Sequence, residues 1–213
     1  ELFRVTCDGG YVVWIVGDST IHGSESGTSF RQALWFKECG FRLHDTMIYE
    51  KAGPSYPDQT RYYNTFEYMF VFSKGKPATF NPIRDRKNRW WGQKWSNTRS
   101  RRNKKGELKV MTWDAAEGDE YGTRFNIWRY AVGYGNSGPK EMNKEHPAVF
   151  PEQLAVDHVL SWSNPGDVVL DPMMGSGTVG VACVRTGRRY IGFEICDNYC
   201  TLAEERIKKE EMT

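Results

Sequence analysis

A glycine-rich turn near the carboxyl end of the chain carries the residues best suited to holding a ligand. Residues 168–170, Val-Val-Leu, are a short apolar run typical of a buried strand, and Asp171 follows them. Gly175 and Gly177 then allow the backbone to turn tightly and approach a ligand without a Cβ in the way. A helix predicted over residues 178–186 points its free amide groups into this turn. The turn therefore favours an anionic or polar ligand group.

An acidic residue closes the next predicted strand, residues 189–195. Glu194 follows Gly175 by about 20 residues, where nucleotide-binding β-α-β units place an acid that accepts hydrogen bonds from ribose hydroxyls. Residues 175–180, Gly-Ser-Gly-Thr-Val-Gly, also match the dinucleotide fingerprint, so a nicotinamide or flavin enzyme is one hypothesis. That hypothesis is disfavoured, because a dinucleotide fold continues into further strands and this chain ends soon after Glu194.

The overall composition narrows the class of protein. The chain has 213 residues, of which 39% are hydrophobic, enough for a sizeable core. No apolar run is long enough to span a bilayer and no signal segment is visible, so we expect a cytoplasmic protein without membrane contact. The five cysteines include no Cys-x-x-Cys pair, which favours reduced thiols and predicts no metal site. The chain begins at Glu1 inside a predicted helix, which suggests a fragment.

Positive charge is concentrated in one segment. The net charge is +2, but residues 84–109 hold eleven Lys or Arg and two acids, a local +9 that leaves −7 elsewhere. Such a segment favours nucleic-acid binding over an inert solvated face. Its tryptophans, Trp90, Trp91 and Trp95, are expected to pack a small subdomain. The predicted DNA contacts are Arg84, Arg86, Lys87, Arg89, Lys94, Arg99, Arg101, Arg102, Lys104 and Lys105.

Periodicity and turn residues predict the elements around the glycine turn. They are a strand at 11–16, a helix capped by Ser29 and ending at Gly40, strands at 41–49 and 67–72, irregular structure over 118–138, and a helix at 152–163 with Pro151 at its first position. The strands at 41–49 and 67–72 lack a helix between them, which predicts an antiparallel pair at the sheet edge. Asp197 is predicted to cap a last helix, whose charged end, residues 208–211, is expected to be solvated.

The order and the residues of these motifs resemble the permuted (β-class) S-adenosylmethionine-dependent DNA amino-methyltransferases over nearly the whole chain. Residues 171–178, Asp-Pro-Met-Met-Gly-Ser-Gly-Thr, are similar to the family's cofactor loop, with Met173 in place of its usual Phe. Residues 192–195, Gly-Phe-Glu-Ile, resemble its ribose-binding acid and the apolar neighbour of the adenine ring. Residues 146–154 resemble the segment that flanks the methionine end of the cofactor.

The resemblance implies S-adenosylmethionine as cofactor and a set of residues that contact it. These residues are Asp171, Pro172, Met173, Gly175, Ser176, Gly177, Thr178, Glu194, Ile195, Phe150 and Pro151. Plainer roles stay open, because Asp171 could only cap the turn and Glu194 could pair with Arg188 or Arg189. The two residues before the helix at 152 could simply begin it.

The resemblance also implies a fold. We expect an α/β protein with a Rossmann-like methyltransferase sheet and helices on both faces, circularly permuted, N-terminally incomplete and carrying a small basic target-recognition insert. Residues 1–82 would be the C-terminal part of the base-binding half, residues 83–140 the insert, and residues 141–213 the S-adenosylmethionine-binding half.

The implied activity is methyl transfer to the exocyclic amino group of a base in double-stranded DNA, with adenine N6 favoured over cytosine N4. A homodimer and a partner restriction endonuclease are further expectations. The family's Asp/Ser-Pro-Pro-Tyr tetrapeptide is absent from these residues, so no catalytic residue is named and the fragment is expected to be inactive. The alternatives are a non-catalytic DNA-binding module on the same fold and the nicotinamide-dependent oxidoreductase.

Overall fold

The computed structural model describes residues 1–52, 60–89, 91–92, 97–113, 119–131 and 151–212. Its elements are α1 (Leu2–Val5), β1 (Tyr11–Val16), β2 (Thr20–Ile21), β3 (Ser24–Glu25), α2 (Thr28–Glu38), β4 (Arg42–Ala52), β5 (Phe66–Ser73), β6 (Arg86–Lys87), β7 (Asn97–Arg102), β8 (Leu108–Trp113), β9 (Tyr121–Gly122), β10 (Ile127–Ala131), α3 (Glu152–Trp162), β11 (Val168–Asp171), α4 (Thr178–Thr186), β12 (Arg189–Gly192) and α5 (Asp197–Glu211). They form two units, Glu1–Asn81 with Asn126–Thr213, and Pro82–Phe125. Among these described residues, no helix is long and apolar enough to cross a membrane.

Four strands of the first unit form one mixed sheet in the order β1-β5-β4-β10. β5 is antiparallel to both of its neighbours, and β10 is parallel to β4. The antiparallel pairing of β4 with β5 is confirmed, but their predicted place at the sheet edge is wrong, because β1 and β10 flank them. The side chains of residues 69–72 are all buried, and such a continuous apolar run suits a strand covered on both faces.

α2 packs on this sheet through aromatic side chains. The ring of Phe36 stacks on that of Phe72, with centroids 4.5 Å apart and planes 9° from parallel. The predicted cap at Ser29 is wrong, because Ser29 lies inside the helix and its buried hydroxyl donates to the carboxylate of Asp18. Asp18 also accepts the backbone N–H of Ser29 at 3.1 Å, so this aspartate satisfies the start of the helix.

The carboxyl-terminal part of the first unit contains the predicted β-α-β motif. β11 and β12 pair in parallel with Asp171 opposite Gly192, and α4 ends before Gly187, whose φ of 72° is typical of a glycine at a helix end. α3 also reaches the four-stranded sheet, since the ring centroids of His158 and Trp128 lie 4.6 Å apart. α3 and α4 pack together through Ala155, Val159, Ala182 and Cys183. The mixed α/β class is confirmed.

The second unit contains two short antiparallel pairs, β6 with β9 and β7 with β8. It is shorter than the predicted insert at 83–140, because β10 belongs to the sheet of the first unit. The backbone N–H of Ile48 donates to the carbonyl of Asn126 at 2.8 Å just before this strand. The expectation of irregular structure over 118–138 is therefore wrong for β10.

Candidate cofactor site and nucleic-acid surface

The glycine turn, residues 171–178, joins β11 to α4 and depends on two left-handed glycines. Gly175 has a φ of 52° and Gly177 a φ of 82°, a region that L side chains rarely adopt. A Cβ on Gly177 would also lie 2.9 Å from the Cβ of Ala203 on α5. Gly177 precedes the first helical residue of α4, so unpaired helix amides open toward the turn. The predicted strand, turn and helix start are all confirmed.

The carboxylate of Glu194 ties this turn to the end of β12. One oxygen, Oε2, accepts the backbone N–H of Gly175 at 2.8 Å. The other, Oε1, accepts the N–H groups of Ile195 at 2.9 Å and Cys196 at 3.0 Å. A carboxylate held by several backbone donors has a fixed direction. The acid predicted to bind a ribose therefore stands against the glycine turn.

The arginines proposed as alternative partners of Glu194 donate elsewhere. Arg188 donates to the carbonyl oxygens of Ser163 and Thr186, at 2.7 and 2.5 Å. Arg189 donates through Nε to the carbonyl of Gly166 at 3.0 Å. These contacts lie at the amino ends of β11 and β12, whereas Glu194 follows the carboxyl end of β12.

Asp171 caps the turn, as its plainer role predicted. Its Oδ1 accepts the backbone N–H of Met173 at 3.1 Å. Burial raises the pKa of Asp171 above its usual value, the Met173 N–H opposes that rise, and the negative charge of Glu194 adds to it. Perturbed pKa values of this kind are concentrated at functional sites in proteins.

The remaining predicted contacts fall into two groups. Ser176 and Thr178 are buried, and their hydroxyls accept hydrogen bonds from Arg206 on α5, at 3.1 and 3.4 Å. Met173 and Ile195 are instead exposed to solvent: Met173 is 66% exposed and Ile195 is fully exposed. Pro172 is exposed beside Met173. Arg206 could not be predicted as part of this site, since nothing in its local sequence sets it apart.

The segment before α3 is described only in part. Pro151 is buried and lies just before the helix, one position earlier than predicted. Its carbonyl oxygen accepts the N–H groups of Leu154 at 3.1 Å and Ala155 at 3.3 Å. These contacts fit its plainer role of beginning the helix. Phe150 lies outside the described residues, so its predicted contact with the cofactor stays a prediction.

Several predicted DNA contacts hold the second unit together. Arg84 pairs with Asp119 at 3.0 Å, and Lys87 pairs with Glu120 at 3.8 Å. Arg86 donates to the carbonyl of Thr123 at 3.0 Å and lies over the ring of Phe125. These three basic side chains link the residues in and next to β6 to the residues in and next to β9. The positive charges of Arg84 and Lys87 are partly offset by these two acids.

A second group of basic side chains lies on the basic hairpin, which we define as β7, β8 and the connecting residues 103–107. Arg101 and Lys109 stand directly opposite each other, and Lys104 and Lys105 lie on the connection. All four side chains are exposed, and none has an ion pair within the described ranges. Lys109 was missed, although cross-strand pairing with Arg101 around the turn at Gly106 would have indicated it.

The other predicted DNA contacts are less defined. Arg102 donates to the carbonyl of Gly106 at 3.0 Å, inside the hairpin connection, and Arg89 is exposed. Lys94 and the side chain of Arg99 lie outside the described residues. Of the tryptophans, Trp91 is exposed rather than packed, and Trp90 and Trp95 fall outside the description.

Comparisons with known proteins bear on this geometry. The family profile described as DNA methylase (N6_N4_Mtase) matches residues 1–205. The orphan methyltransferase M.BamHII of Bacillus amyloliquefaciens is 55% identical over 208 residues, which are 98% of this chain and 78% of that protein. The type II methyltransferase M.SmaI of Serratia marcescens is 30% identical over 183 residues, 85% of this chain and 51% of that protein. The chain thus spans about half the length of M.SmaI.

Solved structures show the same fold. The M1.HpyAVI–SAM complex aligns with a TM-score of 0.63 at 21% identity, over 96% of this chain and 77% of that one. The cytosine-N4-specific PvuII DNA methyltransferase gives 0.63 at 19% identity, over 96% and 69%. The comparisons do not support the nicotinamide enzyme or the non-catalytic module. With the family profile over 1–205 and a relative at 55% identity, the chain belongs to the N6/N4 DNA methylase family, whose members are S-adenosylmethionine-dependent DNA methyltransferases.

Proposed function

We propose that the glycine turn and Glu194 hold S-adenosylmethionine for methyl transfer to the exocyclic amino group of a base in double-stranded DNA. The observation that carries this proposal is the hydrogen bond between Glu194 Oε2 and the backbone N–H of Gly175. This hydrogen bond holds the carboxylate of Glu194 beside the turn, and the carboxylate is the acceptor that we propose for the hydroxyls of a ribose. The exposed side chains of Met173 and Ile195 offer apolar surface to the adenine ring.

The charge of the turn supports a cationic cofactor over a dinucleotide. S-adenosylmethionine carries a sulfonium, an ammonium and one carboxylate, which leaves it with a net positive charge, whereas a dinucleotide brings a pyrophosphate with two negative charges. Asp171 and Glu194 place two carboxylates at the turn, and their negative charge opposes the attraction that the free amides of α4 exert on an anion. The same pair attracts the positive groups of the methyl donor.

The acceptor chemistry requires precise placement of the base. The lone pair of an exocyclic amino nitrogen is delocalised into the ring, so the base must be taken out of the stack and aligned with the methyl group. We propose adenine N6 as the first acceptor to test, following the sequence-based expectation, and cytosine N4 as the second. The homodimer and the endonuclease partner stay predictions.

The decisive experiment is methylation of DNA by the protein that contains this chain. The protein is incubated with S-adenosylmethionine and unmethylated genomic DNA, and the digested nucleosides are identified by mass spectrometry. We expect N6-methyldeoxyadenosine, while N4-methyldeoxycytidine in its place would keep the reaction class and change the base. The proposal is rejected if neither nucleoside forms and calorimetry detects no binding of S-adenosylmethionine.

The basic hairpin is proposed as the phosphate-binding surface. Replacing Arg101 and Lys109 together by Ala should weaken duplex binding about 10-fold near 0.1 M salt, and lower the slope of log K against log salt by about 2. The reason is that two exposed cations without ion pairs are removed from one face of the hairpin.

The matched control is the double replacement of Arg84 and Lys87 by Ala. It removes the same two charges, but from cations already paired with Asp119 and Glu120. The salt slope of this control should change by less than half as much, as measured by fluorescence anisotropy across a salt series. Equal changes in the two variants would mean that the hairpin has no special part in DNA binding.

A further inference from the structure

One guanidinium group joins α5, α3 and the glycine turn. Nη1 of Arg206 donates to the carbonyl oxygen of Ser176, to Ser176 Oγ at 3.1 Å and to Thr178 Oγ1 at 3.4 Å. Nη2 of the same residue donates to Glu152 Oε1 at 2.7 Å. Only 10% of the Arg206 side chain is exposed, so these contacts are shielded from water. A planar fork of donors in a fixed direction is what an arginine provides and a lysine does not.

The carbonyl oxygen of Ser176 is the contact that matters for the shape of the turn. Ser176 lies between Gly175 and Gly177, the two left-handed glycines that give this segment its freedom. Because a peptide unit is planar and trans, holding the Ser176 carbonyl also fixes the direction of the Gly177 N–H. That N–H donates to the carbonyl of Met174 at 2.9 Å, which closes the turn.

The turn is thus clamped from two sides. Glu194 holds the N–H of Gly175, and Arg206 holds the carbonyl of Ser176, one residue further along. With both ends fixed, the peptide bond between Gly175 and Ser176 has little freedom to rotate. A site whose backbone is fixed before binding loses less conformational entropy when the ligand arrives.

We infer that Arg206 is a positioning residue that pre-orders the glycine turn for S-adenosylmethionine. This inference rests on the proposed function of the turn. Arg206 acts from the α5 side, through the backbone and the two buried hydroxyls, whereas the exposed residues of the turn meet the cofactor. Ser176 and Thr178 consequently belong to the support of the turn.

The same network offers a matched control in Arg185. Arg185 donates to Glu152 Oε2 at 2.8 Å and to both carboxylate oxygens of Glu210, at 2.7 and 2.9 Å. Glu152 is therefore shared by Arg185 and Arg206. No hydrogen bond within the described residues joins Arg185 to the glycine turn. Removing Arg185 disturbs the helices that carry the network but leaves the clamp on Ser176.

The test compares Arg206→Met, Arg206→Lys and Arg185→Met. Calorimetry gives the Kd for S-adenosylmethionine, thermal unfolding gives the stability, and a methylation assay separates KM for S-adenosylmethionine from kcat. We expect Arg206→Met to raise Kd and KM by about 10-fold with a smaller change in kcat, because charge-assisted hydrogen bonds of this kind are lost. Arg206→Lys should give an intermediate Kd, and it remains informative if the Met variant fails to fold.

Arg185→Met should lower Tm only slightly and leave Kd within about 2-fold of the unmodified protein, since partly exposed ion pairs contribute little to stability and these do not touch the glycine turn. Equal changes of Kd in Arg185→Met and Arg206→Met would overturn the inference, as would an unchanged Kd in both Arg206 variants. If the unmodified protein itself does not bind S-adenosylmethionine, the proposed function fails, which is a separate outcome.

Discussion

Glu194→Gln is expected to weaken the binding of S-adenosylmethionine by roughly 100-fold, because hydrogen bonds to a charged acceptor contribute about 1.5–3 kcal/mol each. The substitution keeps the size of the side chain but replaces one carboxylate oxygen by an NH2 group. If the amide oxygen stays with the N–H groups of Ile195 and Cys196, the NH2 group faces the N–H of Gly175. Two donors then oppose each other, so the glycine turn and the ribose lose the same acceptor.

Isothermal calorimetry on the purified variant gives the affinity directly. Glu205→Gln is the matched control, because Glu205 is an exposed glutamate on α5 and the same change of charge occurs away from the turn. The control should bind S-adenosylmethionine within about 2-fold of the unmodified protein. An affinity of Glu194→Gln within the same range would show that the acid does not contact the cofactor.

The part of the site that could be predicted from the sequence is the part built by neighbours along the chain. The strand before Asp171, the glycines of the turn and the start of α4 are consecutive, and local geometry decides their shape. Glu194 could be placed because a β-α-β unit has a narrow range of lengths, which brings its two strand ends together.

The contacts that hold the glycine turn in place could not be predicted, because they join residues that are far apart in the sequence. Arg206 meets Glu152 across 54 positions of the chain and Ser176 across 30. The prediction of a solvated end for α5 is wrong at Glu210, which pairs with Arg185 on α4. A charged helix end looks the same in the sequence whether it meets water or a neighbouring helix.

The basic segment, residues 84–109, is equally hard to interpret from the sequence. Its composition indicates a basic surface but does not reveal which cations are compensated. Arg84 pairs with Asp119, 35 residues later, whereas Arg101 has no such partner in the described ranges.

The interior position of β5 in the sheet could not be predicted either, since strand order follows from long-range pairing that periodicity does not encode. Only the continuous burial of residues 69–72 distinguishes that strand from an edge strand.

The first unit is expected to lose about 2.5 kcal/mol of stability between pH 7 and pH 4.5 through one residue, His158. His158 lies on α3 and contacts Met69 and Trp128 of the four-stranded sheet, and only 7% of it is exposed. Its Nδ1 accepts the indole N–H of Trp162 at 3.2 Å, and its Nε2 lies 3.1 Å from the sulfur of Met69. This arrangement fits a neutral ring with its proton on Nε2. A second proton on Nδ1 would face the indole N–H.

The sign of the effect follows from the pKa. Burial lowers the pKa of His158 to about 3, against a weaker rise caused by the negative charge of Asp157. The unfolded chain binds a proton near the ordinary histidine pKa of about 6.5. Between these two values the unfolded state holds one more proton, so the free energy of unfolding falls by about 1.4 kcal/mol per pH unit as the pH decreases. Above about pH 6.5 this contribution is constant.

Urea unfolding at pH values from 7.5 to 4.5 measures this slope, and His158→Gln removes the titrating group. The variant should be less stable at pH 7, because the contact with Trp128 is lost, but its stability should change less steeply with pH. His22→Gln is the matched control, since His22 is exposed on the loop between β2 and β3. Its pH slope should equal that of the unmodified protein. If His158→Gln also keeps the full slope, the acid sensitivity of the first unit comes from its carboxylates and not from His158.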